Sequence, residues 1–168
     1  EGEDAIVVQQ RVVDDLLVYR FGPDKLLLVV NAGTTDKDWE WITSHKDGED
    51  VTLTNASEDY CQIAVQGPDA TGILQQLTDV QLGQIKYYHF TAGHVDGVES
   101  IISRTGYTGE DGFEIYIPPA DAPRIWDEIL AAGAVFGIKP CGLGARNTLR
   151  LEAAMALYDH EIHASITP

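Results

Sequence analysis

The segment Arg104-Thr105-Gly106-Tyr107-Thr108-Gly109-Glu110-Asp111-Gly112-Phe113-Glu114 is the stretch of this sequence richest in chemistry. Its glycines, Gly106, Gly109 and Gly112, recur every third residue, so the backbone can turn tightly or approach a ligand closely. It is no phosphate-binding P-loop, because no Gly-Lys-Ser/Thr follows, and no strand–GxGxxG–helix setting surrounds it. A glycine-rich hairpin and a ligand loop are both open on this pattern. In the following strand Phe113, Ile115 and Ile117 share one face, and Glu114 and Tyr116 share the other. If the apolar face meets the core, Glu114 looks onto water or onto a site.

Other carboxylates and cations offer further candidates. Asp14 and Asp15 adjoin an apolar strand, where alternation sends neighbouring side chains to opposite sides. A carboxylate buried there needs a partner or a ligand, because uncompensated burial costs several kcal/mol (of order 2–7). The alternative is an aspartate exposed at the strand start. Arg146 and Arg150 stand four apart on a predicted helix and could grip a carboxylate or phosphate by forked hydrogen bonds, or pair with local acids. His160 and His163 lack helical i, i+4 spacing and an evident third ligand, so no metal site is expected. Cys141 precedes a helix, but the reading favoured is a buried structural cysteine. No Ser-His-Asp or Cys-His arrangement can be built.

These residues need elements to carry them. The pattern reads as a strand–turn–strand–helix unit used three times. The first unit has strands from Leu16 to Arg20 and Leu26 to Val30, then a helix from Thr35 with Trp39 and Ile42 inward. The second has strands Val51-Thr52-Leu53 and Cys61 to Val65, then a helix after Gly67-Pro68-Asp69 carrying Ile73, Leu74 and Leu77. The third has Ile101 to Arg104, a tight turn at Gly109 to Gly112, and Phe113 to Ile117. Its helix is capped by Asp121, striped with Ile125, Trp126, Ile129 and Leu130, and ended by Gly133. A last helix runs from about Gly142 to Leu157. The fold class expected is α+β, with mixed or antiparallel sheets and helices on one face.

Composition narrows the function. The chain has 168 residues, 11 Lys+Arg against 27 Asp+Glu, and a net charge of −16. That balance argues against a nucleic-acid surface and against an anionic membrane. No apolar run approaches membrane-spanning length. Two cysteines without CxxC spacing suit a reducing, cytoplasmic setting. The missing initiator Met suggests a processed chain or a piece of something longer.

Several motifs in register then resemble one family. Arg104 to Glu114, followed by Cys141-Gly-Leu-Gly-Ala-Arg-Asn-Thr-Leu-Arg-Leu-Glu152, is similar to the aminomethyltransferases, the T-proteins of the glycine cleavage system. Asp14-Asp15-Leu-Leu-Val-Tyr-Arg20, Val29-Val-Asn-Ala32 and Val65-Gln-Gly-Pro68 fall in the family's order. The resemblance covers about Val12 to Pro168 and implies a central piece of a longer chain, lacking an N-terminal segment and a C-terminal domain. Residues 1–48 would then belong to a first folate-binding domain and 49–168 to a second with its closing helix, the alternative being one compact domain. It implies tetrahydrofolate as cosubstrate and a lipoylated H-protein as partner. It also implies Asp15 as the essential carboxylate, Tyr19 and Tyr107 as ring-packing aromatics, Glu114 as acceptor for pterin N–H groups, and Arg146 as a folate contact. Asn31 and Arg150 would be structural supports.

The chain departs from the family pattern at Asn147, where aspartate is usual, and at Ala154 and Asp159, where glycine is common. A folate-dependent demethylase of the same superfamily is the alternative activity. A non-catalytic iron–sulfur assembly relative would carry a Lys-Gly-Cys-Tyr motif, which is absent. A piece without activity of its own, pairing with a second copy through exposed core surface, is the remaining expectation.

Overall fold

The computed structural model describes residues 12–166, which fall into two compact units. The first comprises residues up to Thr54 together with those from Ala156 onward. Its strands β1 (Leu17–Arg20) and β2 (Leu26–Val29) pair antiparallel, from Leu17 opposite Val29 to Arg20 opposite Leu26. The turn between them closes through Phe21 N–H on the Lys25 carbonyl at 3.0 Å. A short 3-10 turn over Ala32–Thr34 leads into helix α1 (Thr35–Ser44).

Both faces of this hairpin are apolar. Tyr19 is buried on one face, while Val18, Leu26 and Leu28 are exposed on the other. The sequence pattern predicts Trp39 and Ile42 as the inner residues of α1. Both are only half-buried, and the one fully buried α1 residue is Asp38. A charged group therefore organises this interior, and it can do so only because it is partnered.

The second unit spans Asn55–Met155. Strands β3 (Cys61–Gln66), β4 (Phe90–Val95), β5 (Val98–Ser103) and β6 (Gly112–Ile117) form an antiparallel sheet in the order β3-β6-β5-β4. Helices α2 (Ala70–Leu74) and α3 (Ala122–Gly133) pack on its apolar face. Phe113, Ile115 and Ile117 from β6 meet Leu74 and Ile125, all fully buried. Each of these five isoleucine, leucine and phenylalanine side chains contributes roughly 1.5–3 kcal/mol by leaving water. Helix α4 (Leu143–Glu152) closes the unit.

Several expectations change here. Val51-Thr52-Leu53 forms no strand, because no second strand offers it a ladder of hydrogen bonds; the neighbour of β3 is β6, distant in sequence. The predicted tight turn at Gly109 to Gly112 is instead the end of a loop over residues 104–111. Strand β4 escaped the pattern although Asp96-Gly97 marks it. Both residues take left-handed φ, +46° and +77°, the two-residue turn that suits a twisted hairpin. Asp121 makes no capping bond, because a 3-10 turn over Pro119–Asp121 already leads into α3. Trp126 lies at the rim of its helix, 39% exposed, since Ile125 and Ile129 fill the interface.

Helix α4 ends at Glu152 rather than near Leu157. Ala154 follows with φ +56°, and Asp159 has φ +68°. These are the two positions where the resemblance expects glycine. The backbone there adopts the conformation glycine tolerates best, and a Cβ makes it costlier.

Candidate functional site

The glycine-rich loop is pinned at both ends. The Arg104 guanidinium forks onto Asp111, Nε to Oδ1 at 2.8 Å and a terminal nitrogen to Oδ2 at 2.7 Å. Its other terminal nitrogen donates to the Ile85 carbonyl at 2.9 Å. The fork holds Asp111 below the usual carboxylate range and raises Arg104 further.

Gln66, at the end of β3, acts as a post under the loop. Its Nε2 donates to the carbonyls of Thr105 and Phe113 at 3.1 and 3.2 Å, and its Oε1 accepts from the Thr108 hydroxyl at 3.2 Å. A Cβ on Gly106 would lie 1.9 Å from Gln66 Oε1, and one on Gly112 2.6 Å from its Cδ. Two of the three regularly spaced glycines thus make room for one carboxamide.

Glu114 sits half-buried on β6, opposite Ala64 of β3 and Ser103 of β5. Its Oε1 accepts from Gln62 Nε2, and its Oε2 accepts a short bond from the Thr105 hydroxyl. Thr105 Oγ1 also lies 3.0 Å from the Ser103 hydroxyl. Around it this face of the sheet is mostly covered: Ser103, Tyr116 and Ile101 are all buried. The two bonds use two of the carboxylate's roughly four acceptor positions.

Arg146, exposed on α4, stacks its guanidinium on the Tyr107 ring, 4.5 Å from the centroid. Two of the residues singled out are thus brought into contact. Arg150 does not share that surface with it. It is buried, donating from Nε to Asn147 Oδ1 at 2.9 Å and to the Met155 carbonyl at 3.2 Å. Asn147 gives Arg150 a neutral acceptor at the position where the family pattern has a carboxylate.

The other candidates, Asp15 and Tyr19, belong to the first unit. The aspartate pair differs in burial, but not through strand alternation: both residues precede β1, and both side chains reach Asn31 Nδ2. The Asp14 side chain is 2% exposed, while Asp15 is exposed. Asp14 Oδ1 accepts from Asn31 Nδ2 and from the Asp15 backbone N–H, both at 2.8 Å. Its Oδ2 accepts from the Thr34 hydroxyl at 2.6 Å and from Lys37 Nζ at 2.9 Å. Burial raises the Asp14 pKa, but the hydrogen bonds from Thr34, Lys37 and Asn31 outweigh it and bring it down to about 2.

Lys37 Nζ also meets Asp38 Oδ1 at 3.0 Å and the Val13 carbonyl, and lies 4.0 Å from the centroid of the Tyr158 ring. Burial, with Asp14 close by, pushes Asp38 upward against the pull of Lys37. The two carboxylates therefore diverge although one lysine serves both. Asn31 Nδ2 reaches Asp15 as well, at 3.1 Å from Oδ1 and 3.2 Å from its carbonyl.

Sequence reasoning missed Gln62, Gln66 and Thr105 around Glu114, and Thr34, Lys37 and Asp38 around Asp14. A usable signal existed for α1: Thr34, Lys37 and Asp38 recur at helical spacing, and buried polar groups come in sets. Cys141 is exposed rather than buried, because it lies in the extended lead-in to α4, and Cys61 is half-buried against the core. Among the described residues, no three His, Cys, Asp or Glu side chains gather as metal ligands would, and no helix is long and apolar enough to cross a membrane.

Comparison with known proteins gives a consistent answer. A protein-family model, GCVT N-terminal domain, matches residues 8–168. The aminomethyltransferase of Desulfitobacterium hafniense (strain DSM 10664 / DCB-2) is 57% identical over 157 residues, covering 94% of this chain and 43% of that protein. The aminomethyltransferase of Alkaliphilus metalliredigens is 52% identical over 158 residues, with the same two shares. The crystal structure of glycine cleavage system aminomethyltransferase T from Bartonella henselae superposes with a TM-score of 0.78 at 29% identity, covering 94% of this chain and 41% of that one. The chain thus spans less than half the length of the relatives it matches. With its family model matched from residue 8 to residue 168, this chain belongs to the GCVT N-terminal domain family, that of the aminomethyltransferases.

Proposed function

We propose that this chain carries folate-binding machinery of a glycine cleavage aminomethyltransferase. In that reaction an aminomethyl group arrives on the lipoyl arm of a carrier protein, the H-protein. Two tetrahydrofolate nitrogens in turn bond to its carbon, one displacing ammonia and the other the arm's sulfur, which takes up a proton as dihydrolipoyl thiol, giving methylene-tetrahydrofolate. No enzyme nucleophile is needed. The protein's task is to hold two reactants in line and to exclude water.

The observation that carries this reading is the division between Asp14 and Asp15. Asp14 is buried with four hydrogen-bond donors around its carboxylate. Asp15 is exposed, with one side-chain tether from Asn31. A tethered, exposed carboxylate suits a group that orients an amine and stabilises positive charge as it develops. Glu114 supports the reading from the second unit, since its remaining acceptor positions can take two in-plane N–H donors of a pterin ring. Arg146, already against Tyr107, suits the anionic end of a folate. Tyr19 is assigned to ring packing by the resemblance. A cytoplasmic setting would supply the reduced folate and thiols this reaction uses.

Calorimetric titration with 5-formyl-tetrahydrofolate tests this. Saturable binding is expected, weakened by Asp15→Asn and by Glu114→Gln but not by Glu110→Gln. Equal effects of the two glutamate variants would remove Glu114 from the site. Absence of binding by a folded chain would show that this part of the protein does not hold the ligand.

A further inference from the structure

Lys37 is held by three oxygen contacts. Two are hydrogen bonds, to Asp14 Oδ2 and the Val13 carbonyl, and the ammonium pairs ionically with Asp38 Oδ1 at 3.0 Å. The Tyr158 ring lies 4.0 Å from the ammonium, measured to its centroid. Between the same two carboxylates sits Thr34, whose Oγ1 is 2.6 Å from Asp14 Oδ2 and 3.2 Å from Asp38 Oδ2. A hydroxyl has one hydrogen and cannot serve both fully, so charge balance here rests on Lys37.

The consequence passes through Asn31. An ionised carboxylate only accepts, so Asp14 Oδ1 must receive an N–H of Asn31, which sets the direction of the carboxamide. The second hydrogen on that nitrogen is then shared between Asp15 Oδ1 at 3.1 Å and the Asp15 carbonyl at 3.2 Å. Were Asp14 to take up a proton, it could donate as well as accept, and Asn31 would lose its fixed orientation.

We propose that Lys37 is a positioning residue for Asp15, acting through Asp14 and Asn31. It holds Asp14 ionised, which orients the carboxamide that aims the Asp15 carboxylate. The proposal rests on the reading of Asp15 as the reactive carboxylate, and its physical core is tested without folate.

The test uses the full chain with selective 15N labelling of asparagine side chains and 13C labelling of aspartate carboxyls. Lys37→Met is expected to shift the Asn31 Nδ2 amide signals and the Asp15 carboxyl signal, and Lys37→Arg to restore both. The affinity for 5-formyl-tetrahydrofolate is expected to fall about tenfold with Lys37→Met and to recover with Lys37→Arg. If Lys37→Met does not fold, Lys37→Met/Asp38→Asn removes the cation together with one of its two carboxylates and carries the same expectation. Unmoved Asn31 and Asp15 signals in a folded variant would overturn the proposal. Shifted signals in a chain that binds no folate would uphold the positioning and overturn the functional reading alone.

Discussion

Replacing Asp14 by asparagine removes a carboxylate whose side chain is 2% exposed and which takes four hydrogen bonds. The amide keeps one acceptor oxygen and turns its NH2 toward Thr34 and Lys37. Thr34 can accept, but Lys37 cannot. Lowering a carboxyl pKa from 3.8 to about 2 favours the ionised folded form by about 2.5 kcal/mol. Stripping one partner from a buried pair costs about 3–5 kcal/mol, and Lys37, at 40% exposure, can recover part of that from water. We therefore expect Asp14→Asn to destabilise the first unit by about 2–4 kcal/mol at pH 7, and the exposed Asp15→Asn by less than about 0.5 kcal/mol.

The pH dependence has a definite sign. A depressed carboxyl pKa contributes stability that is present above the unfolded value of 3.8 and is lost as pH falls toward 2. The wild type should lose this increment over that window, and Asp14→Asn should show no such loss. Urea unfolding in a Trp126→Phe background leaves Trp39 and Trp41 to report on the first unit. Equal effects of the two aspartate variants, or an unchanged acid limb in Asp14→Asn, would refute the reasoning.

Three further substitutions test the scaffold. Gly106→Ala places a Cβ 1.9 Å from Gln66 Oε1, so Gln66 must release the carbonyls of Thr105 and Phe113; we expect a loss of about 1–3 kcal/mol in thermal unfolding. Ala154→Gly relieves a left-handed φ of +56° and should gain about 0.5–1 kcal/mol, and a loss would show that the alanine Cβ matters for packing. Ile115→Ala empties the centre of the second unit's core, with an expected cost of about 2–5 kcal/mol by chemical denaturation; under 1 kcal/mol would mean the sheet and helices close over the gap.

Glu114 illustrates how far the sequence could be read. Strand alternation alone put it on the face opposite Phe113, Ile115 and Ile117. It could not tell that Gln62 and Thr105 would receive it, since those partners come from β3 and from the loop after β5. The same holds for the sheet order. Hydrophobic period reports which face is buried, not which strand lies alongside, and β6 sits between β3 and β5. Strand β4 was legible in its Asp-Gly turn but lacked an alternating apolar run, since Val95 is its one fully buried residue.

By itself the sequence determined the strands and helices with strong periodicity and the motifs that mark the family. Each depends on residues close together along the chain, or on residue types kept in order. The tertiary structure alone decided that Asp14 is the buried member and that Lys37 serves two carboxylates. It also decided that Gln66 occupies the space opened by Gly106 and Gly112, and that Arg146 rests on Tyr107. Each of those pairings, apart from Lys37 with Asp38, joins segments well separated in sequence, so its geometry exists only once folding has set their backbones side by side.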